Sequence, residues 1–260
     1  MGGRNTVKCL AAMSAVIVFV HTPSSATTIV ALRTPDTFAI AADSLATVKS
    51  GTRKTDEHAV SKLFQKNGVV YAVSGLAKDP VRGFDVENLI ADSLSQQKSF
   101  SSTVKTLETL VSDSLKSELS RLQREEPLVF SEAVESLDAG TSILLASREN
   151  GEPVAVALRF LGAVRSDGHV EVDTVSLACP GDCRAGKYIF LVGSHKAIDA
   201  YVREHGSRFT MPPDEIVRFL VQLEIDAKTP GVGPPIDVAV IDTGGFRWIS
   251  QKEPKSPESR

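Results

Sequence analysis

The chain has 260 residues, of which 42% are hydrophobic and 23% charged, and its formal net charge is −3. This composition is that of an ordinary globular protein, which excludes disordered, collagen-like and disulfide-dense classes. The slight negative charge gives no indication of a polybasic surface for nucleic acid.

Residues 1–26 have the pattern of a secretory signal peptide. Arg4 and Lys8 precede an apolar run from Leu10 to Val20, and small residues end the segment at Ala26. The alternative is an uncleaved anchor, but this run is well short of the ~20 apolar residues that span a bilayer. We therefore expect an exported protein, periplasmic or extracellular, that begins at Thr27 after processing and has no membrane span.

We predict a single domain over residues 27–250 and a disordered tail over residues 251–260, which is polar and contains proline. Cys179 and Cys183 are the two cysteines that remain after processing. In an exported protein such a pair is compatible with a disulfide, although free thiols remain an alternative. Two cysteines without a nearby pair of histidines make a zinc site improbable.

Short β-rich runs dominate the first part of the mature chain. We predict a hairpin from Thr28–Thr34 and Phe38–Asp43, and a second from Lys62–Gln65 and Val69–Ser74. The polar segment 47–58 between the two hairpins is expected to be an exposed loop. Helical periodicity then predicts helices over 85–97 and 103–124.

The second half repeats this order of strands followed by helices. Strands are predicted over 141–147, 153–160, 169–177 and 188–192, helices over 196–205 and 213–228, and closing strands over 236–241 and 246–249. Two stacked sheets between layers of helices would bury the apolar faces of these elements.

Removal of the signal peptide would leave Thr27 with a free α-amine beside its hydroxyl. That amine titrates near neutral pH and can accept the hydroxyl proton, so one residue would supply both nucleophile and base. Asp43 ends the second strand, Lys62 begins the third and Ser74-Gly75 ends the fourth. Paired strands would bring these ends together near Thr27.

The sequence around these residues resembles the N-terminal half of proteasome β-type subunits and their simpler bacterial relatives, the N-terminal-nucleophile hydrolases. The segments that carry the resemblance are Thr27–Arg33, Ala41–Ser44, Ser61–Leu63 and Ser74-Gly75. Later, Phe190–Ser194 and Pro230–Val238 resemble a Gly-Ser strand end and a glycine turn of that family.

The resemblance implies an α+β fold, a four-layer αββα sandwich, and hydrolysis of peptide or amide bonds without a cofactor. Thr27 would be the nucleophile, Asp43 and Lys62 its tuning pair, Gly75 the oxyanion donor and Ser194 a supporting residue. The substrate pocket would be lined by Ala46, Val60 and Val73, which are uncharged and favour small or medium apolar side chains.

The resemblance also implies a homo-oligomer, either a ring or a dimer. An ATP-driven unfoldase is not expected as a partner, because exported compartments lack ATP. The family's second carboxylate has no clean match in this chain. Asp226 and Thr229 are the candidates for that position.

Other function classes receive less support from the sequence. A non-catalytic protein of the same fold, acting in assembly or binding, is the main alternative. The histidines show no metal-ligand spacing, and the sequence contains neither a Gly-x-Ser-x-Gly elbow nor a nucleotide-binding glycine loop. We therefore expect no metal, and a peptide or amide substrate rather than a nucleic acid.

Overall fold

The computed structural model describes residues 17–18, 27–50, 54–79, 83–96, 99–128, 130–131, 140–183 and 188–252. Within these ranges the first strands are β1 (Ile17–Val18), β2 (Thr28–Arg33), β3 (Phe38–Asp43), β4 (Leu45–Ser50), β5 (Lys54–Ala59), β6 (Leu63–Lys66), β7 (Val69–Gly75), β8 (Lys78–Asp79) and β9 (Phe84–Asp85). They are followed by the helices α1 (Val86–Ser95) and α2 (Phe100–Glu125). The second half contains β10 (Gly140–Glu149), β11 (Glu152–Val164), β12 (Val170–Cys179), β13 (Tyr188–Gly193), α3 (Lys196–His205), α4 (Pro213–Asp226), β14 (Ile236–Asp242) and β15 (Gly245–Ser250).

Two large sheets form the centre of the molecule. The first has the order β1-β13-β2-β3-β14-β15, and all its pairings are antiparallel except the parallel pairing of β1 with β13. The second is antiparallel throughout, in the order β12-β11-β10-β7-β6. Strands β2 and β3 are buried at every position, which explains why their sequences are continuous apolar runs rather than alternating ones.

Apolar side chains fill three regions. Ile29, Phe38 and Ile40 of the first sheet pack against Leu144 and other residues of the second sheet. A second cluster lies between the five-stranded sheet and the helices α1 and α2, and a third between the six-stranded sheet and the helices α3 and α4. Both faces of each large sheet therefore carry buried apolar side chains.

The four-layer αββα sandwich of class α+β that the resemblance implied is wrong as a description of this structure. The described chain is mainly β-sheet, and it includes two small sheets, β4-β5 and β8-β9, outside the large ones. The helices cover the large sheets incompletely: β12 is exposed along its middle, and Ile198 is the one residue of α3 that is buried. Helical periodicity reveals that helices exist, but not how much sheet they cover.

The individual elements agree more closely with the sequence. Both early hairpins form, and the turn of the first is closed by a hydrogen bond of 2.7 Å from the amide of Thr34 to the carbonyl of Thr37. The four predicted helices are present with ends shifted by no more than a few residues.

The loop predicted over 47–58 is wrong, whereas the predicted exposure of its side chains and residues 51–53 lie outside the described part of the structure. Strands β4 and β5 pair there as an antiparallel hairpin, with Leu45 opposite Ala59 and Ser50 opposite Lys54. Because backbone groups form this pairing, it does not require the apolar alternation on which the sequence prediction depended.

Several expectations for the ends of the chain lie outside the described residues. Of the predicted signal peptide, the structure describes only Ile17–Val18, and of the predicted tail only residues 251–252.

Cys179 and Cys183 are joined as a disulfide, with their Cα atoms 5.1 Å apart. None of the helices in the described part of the chain is long and apolar enough to cross a membrane.

Leu144 provides a test of the packing between the two sheets. Its side chain is fully buried there, whereas the side chain of Leu128 is 81% exposed. We expect Leu144→Ala to lower the free energy of unfolding by about 2–5 kcal/mol, because a cavity would remain between the sheets. Leu128→Ala is the control, and urea unfolding of both variants is the measurement. Equal, small effects would contradict the assignment of the core.

Candidate active site

The candidate site lies where the ends of β2, β3, β7 and β13 meet. Thr27 immediately precedes β2 and is only 8% exposed. Its carbonyl oxygen accepts a hydrogen bond of 2.8 Å from the backbone N–H of Ser194, which follows β13. In return, the hydroxyl of Thr28 donates to the carbonyl oxygen of Ser194 at 2.7 Å. These two hydrogen bonds therefore hold the backbone of Thr27 in a fixed position at the start of β2.

Gly193 allows this close approach. Its φ of +82° lies in the left-handed region that favours glycine. A Cβ atom at this position would collide with the carbonyl oxygen of Thr27 and would lie 2.9 Å from Oγ of Ser74. The end of β7 is thus brought beside Thr27, although the two segments are far apart in the chain.

Asp43 connects Thr27 to Lys62. One carboxylate oxygen of Asp43 accepts the backbone N–H of Thr28 at 2.8 Å, and the other lies 2.9 Å from Nζ of Lys62. The second oxygen also accepts the backbone N–H groups of Leu45 and Gly233, both at 3.2 Å. The ammonium group of Lys62 is therefore held close to the peptide that joins Thr27 to Thr28.

Burial dominates the electrostatics of this pair. The side chain of Asp43 is 0% exposed and that of Lys62 is 11% exposed. Burial raises the pKa of Asp43, an effect that the charge of Lys62 and three backbone or side-chain hydrogen bonds oppose. Burial likewise lowers the pKa of Lys62, against the opposing effect of Asp43. The charge of each group therefore opposes the shift that burial causes in the pKa of the other.

Gly75 ends β7 in a conformation that requires glycine. Its φ is +90°, and a Cβ atom there would collide with the carbonyl oxygen of Gly140. Its partner in the ladder is Thr141, and the next amide, that of Leu76, donates to Gly140 at 2.9 Å. The backbone of Gly75 is therefore rigidly positioned at the same end of the molecule as Thr27.

The three predicted pocket residues lie in different environments. Val73 is buried in the cluster between the five-stranded sheet and the helices α1 and α2. Val60 is 37% exposed, and its amide donates to the carbonyl oxygen of Ser44 at 2.7 Å. The side chain of Ala46 lies outside the described part of the structure. Their role as a substrate pocket stays a prediction.

The two candidates for a second carboxylate point elsewhere. Asp226 is exposed, and its carboxylate accepts a hydrogen bond of 2.7 Å from the side-chain amide of Gln222. The hydroxyl of Thr229 donates to Glu224, whose other oxygen accepts the amides of Ala197 and Ile198 at the start of α3. The contacts of Glu224 tie α4 to α3, and these hydrogen bonds of Asp226 and Thr229 do not include the Asp43–Lys62 pair.

The sequence analysis missed Asp237. This residue is fully buried, and its carboxylate accepts hydrogen bonds from the hydroxyl groups of Ser44 and Ser61, the neighbours of Asp43 and Lys62. The available signal was an aspartate at the start of the apolar run 236–241, where a charge requires hydrogen-bond partners.

Among the described residues, no three His, Cys, Asp or Glu side chains form a group that could hold a metal ion. The site therefore consists of Thr27, the buried pair Asp43 and Lys62, the strand ends at Gly75 and Ser194, and the carboxylate of Asp237. These groups are the ones that can take part in chemistry at the site.

Comparison with known proteins does not establish a family. No family model and no curated protein matches the chain. Among solved structures, it is similar to a glycine mutant of Anbu from Hyphomicrobium sp. strain MC1, with a TM-score of 0.49 and 16% sequence identity over 87% of this chain and 86% of that one. The assignment to the proteasome β-type and N-terminal-nucleophile hydrolase family is therefore wrong as a statement of membership, because no family model and no curated protein matches the chain.

Removing one partner of the buried pair should be costly. In Lys62→Met the carboxylate of Asp43 remains buried without its cation, and we expect a loss of about 3–5 kcal/mol in the free energy of unfolding at neutral pH. Asp43→Asn combined with Lys62→Met should cost less than the sum of the single changes. Urea unfolding of the three variants measures this coupling.

The loss in Lys62→Met should also depend on pH. Without Lys62, the pKa of Asp43 in the folded state rises further above that in the unfolded state, so the folded state binds more protons. Its stability therefore falls as the pH rises through that interval, and the loss should shrink as the pH is lowered toward about pH 4. A loss that is independent of pH would contradict a buried, ionised Asp43.

Proposed function

We propose that the chain is an exported threonine-dependent hydrolase that cleaves peptide or amide bonds, with Thr27 as its N-terminal nucleophile once residues 1–26 are removed. The observation that carries the proposal is the carboxylate of Asp43, which contacts the amide of Thr28 with one oxygen and Nζ of Lys62 with the other. A buried cation thereby lies beside the residue that would become the N-terminus.

The position of Lys62 suits the chemistry of a free N-terminal threonine. The α-amine of Thr27 must be neutral to accept the hydroxyl proton, and a nearby positive charge lowers the pKa of an amine. Burial strengthens this effect, because charges interact more strongly where water is excluded. Asp43 opposes the lowering of the pKa of Lys62 by burial, and so favours the charged form that acts on the amine.

The proposed reaction has two stages. Oγ1 of Thr27 attacks the carbonyl carbon of the substrate while the hydroxyl proton passes to the α-amine. The C–N bond then breaks, and the departing amine takes that proton, which leaves an ester on Thr27. Water attacks the ester with the α-amine as base, so that the acid is released and the threonine hydroxyl is restored.

A backbone amide is the proposed donor to the oxyanion formed in both stages. The rigid backbone of Gly75 at the end of β7 is the candidate, because Ser74 lies close to Gly193 and hence to the carbonyl of Thr27. A fixed backbone donor stabilises developing negative charge without reorganising during the reaction.

Removal of the leader would activate the protein by this mechanism. As long as residue 26 is attached, the nitrogen of Thr27 is part of a peptide bond and cannot act as a base. The basic residues, apolar run and small residues before Thr27 support cleavage during export. Assembly into a homo-oligomer, and function without an ATP-driven unfoldase, belong to the same proposal.

Replacement of the residue before the cleavage site tests this activation. We expect wild-type protein recovered from the exporting host to begin at Thr27, and Ala26→Leu to remain uncleaved, because signal cleavage requires a small residue at this position. Mass spectrometry of the intact protein identifies the N-terminus. Full hydrolytic activity in an uncleaved form would contradict the role of the α-amine.

Replacement of the nucleophile tests the catalytic proposal directly. We expect Thr27→Ala to lower the hydrolysis of fluorogenic peptides by about 10³-fold or more, because the hydroxyl beside the α-amine is lost. Thr27→Ser retains a hydroxyl beside the amine and should keep measurable activity. Both variants should match wild type in unfolding midpoint.

A serine far from the site supplies the matched control. Ser117 is exposed on α2, where its hydroxyl bonds to the carbonyl of Asp113, so that Ser117→Ala should behave as wild type. Undiminished hydrolysis by correctly processed Thr27→Ala would exclude Thr27 as the nucleophile and would favour a non-catalytic role in assembly or binding.

A further inference from the structure

Asp237 is a carboxylate inside the layer between the two sheets. It is the second residue of β14, and the residues that follow it on the same face, Ala239 and Ile241, pack in the apolar cluster between the sheets. Across the ladder it lies opposite Ala42, one residue before Asp43. A charged group in such a position is costly unless its oxygens are hydrogen-bonded.

Three donors from three segments of the chain contact this carboxylate. Oδ2 accepts the hydroxyl of Ser61 at 2.7 Å and that of Ser44 at 3.3 Å. Oδ1 accepts the backbone N–H of Lys252 at 2.7 Å, just beyond the end of β15. These segments are the end of β3, the approach to β6 and the chain after β15.

Two of these donors are direct neighbours of the ion pair. Ser44 follows Asp43, and Ser61 precedes Lys62. The β4-β5 hairpin pairs the residues next to these segments, and the amide of Val60 donates to the carbonyl of Ser44 at 2.7 Å, so the backbone already brings the two segments side by side. The bonds from Ser44 and Ser61 to one carboxylate also attach both segments to β14, and thereby set the position of the ion pair relative to that strand.

We propose that Asp237 is a positioning residue, which holds Lys62 against Asp43 by binding the serines beside both residues. This inference rests on the proposed function and extends it to a residue that does not contact the reacting atoms. A long lysine side chain loses conformational freedom when it is held in one place, and a displacement of about 1 Å can reduce catalysis by about 10²-fold.

The contacts of Ser61 and Ser44 with Asp237 differ enough to predict which serine, when replaced, impairs the site more. Ser61 makes the shorter bond to Asp237, and although its hydroxyl also lies 2.9 Å from the carbonyl of Leu63, a carboxylate is the stronger acceptor. Ser44 has the longer contact and is held independently, because its amide donates to the carbonyl of Gly233 at 3.1 Å. Ser61→Ala should therefore impair the site more than Ser44→Ala.

The experiment measures acylation of Thr27 in the processed protein by an aliphatic β-lactone. Oγ1 attacks the lactone carbonyl, the ring C–O bond breaks and the released alkoxide takes up a proton, so that the protein gains the full mass of the reagent. Peptide mapping locates the adduct. Progress curves at several concentrations separate the maximal rate from the apparent affinity.

We expect Asp237→Asn and Ser61→Ala to lower the maximal rate of acylation on the order of 10- to 100-fold while the apparent affinity for the lactone stays unchanged. Ser61→Thr, which retains the hydroxyl, should restore most of the rate. Ser117→Ala is again the matched serine control. Circular dichroism and urea unfolding determine the folded fraction of each variant.

The outcomes separate the two proposals. If wild type is acylated at Thr27 and both Asp237→Asn and Ser61→Ala react as fast as wild type, the role of Asp237 is overturned while the proposed function stands. Rates that fall only in proportion to the folded fraction also overturn it. A processed wild type that is not acylated at Thr27 overturns the proposed function itself, and the present inference with it.

Discussion

The buried carboxylate of Asp43 is the contact on which the candidate site depends. Its two oxygens accept three backbone amides, from Thr28, Leu45 and Gly233, and also bind Nζ of Lys62. Those amides belong to the start of β2, the segment after β3 and the turn before β14. One side chain thereby fixes the relative positions of three strand ends, and its charge is tolerated in the interior because every one of these contacts opposes the cost of burial.

The sheets position this carboxylate before any chemistry is considered. Strands β2 and β3 are neighbours, so the start of one and the end of the other necessarily meet at the same edge. Gly193 at the end of β13 lets the backbone of Thr27 approach from the other side. The apolar clusters on both faces of these strands exclude water, which makes the Asp43–Lys62 interaction stronger than a similar pair at the surface would be.

The sequence predicted those parts of the molecule that depend on local patterns. The hairpin of β2 and β3, the hairpin of β6 and β7 and the four helices follow from apolar runs, turn residues and helical period. It also selected Thr27, Asp43 and Lys62, which the structure brings together. Features that depend on other signals were not predicted from the sequence. The β4-β5 hairpin has polar strands that pair through the backbone. The incomplete helical cover of the sheets depends on tertiary packing. Asp237 was missed because its serine partners lie 176 and 193 residues away in the chain.

The opposing shifts in pKa show how the pair can serve both folding and chemistry. Burial lowers the pKa of Lys62 and raises that of Asp43, so that each charge alone would destabilise the folded state. Each charge opposes the shift that burial causes in the pKa of the other group, and the same exclusion of water strengthens the effect of a charged Lys62 on a nearby amine. A solvated lysine at the same distance would be screened and would have little effect on Thr27. The cost of burying the pair and its influence on the nucleophile therefore have one physical origin, which is the exclusion of water. A variant that exposes Lys62 to water would lower the cost of burial, but it would also weaken the effect of Lys62 on the amine of Thr27.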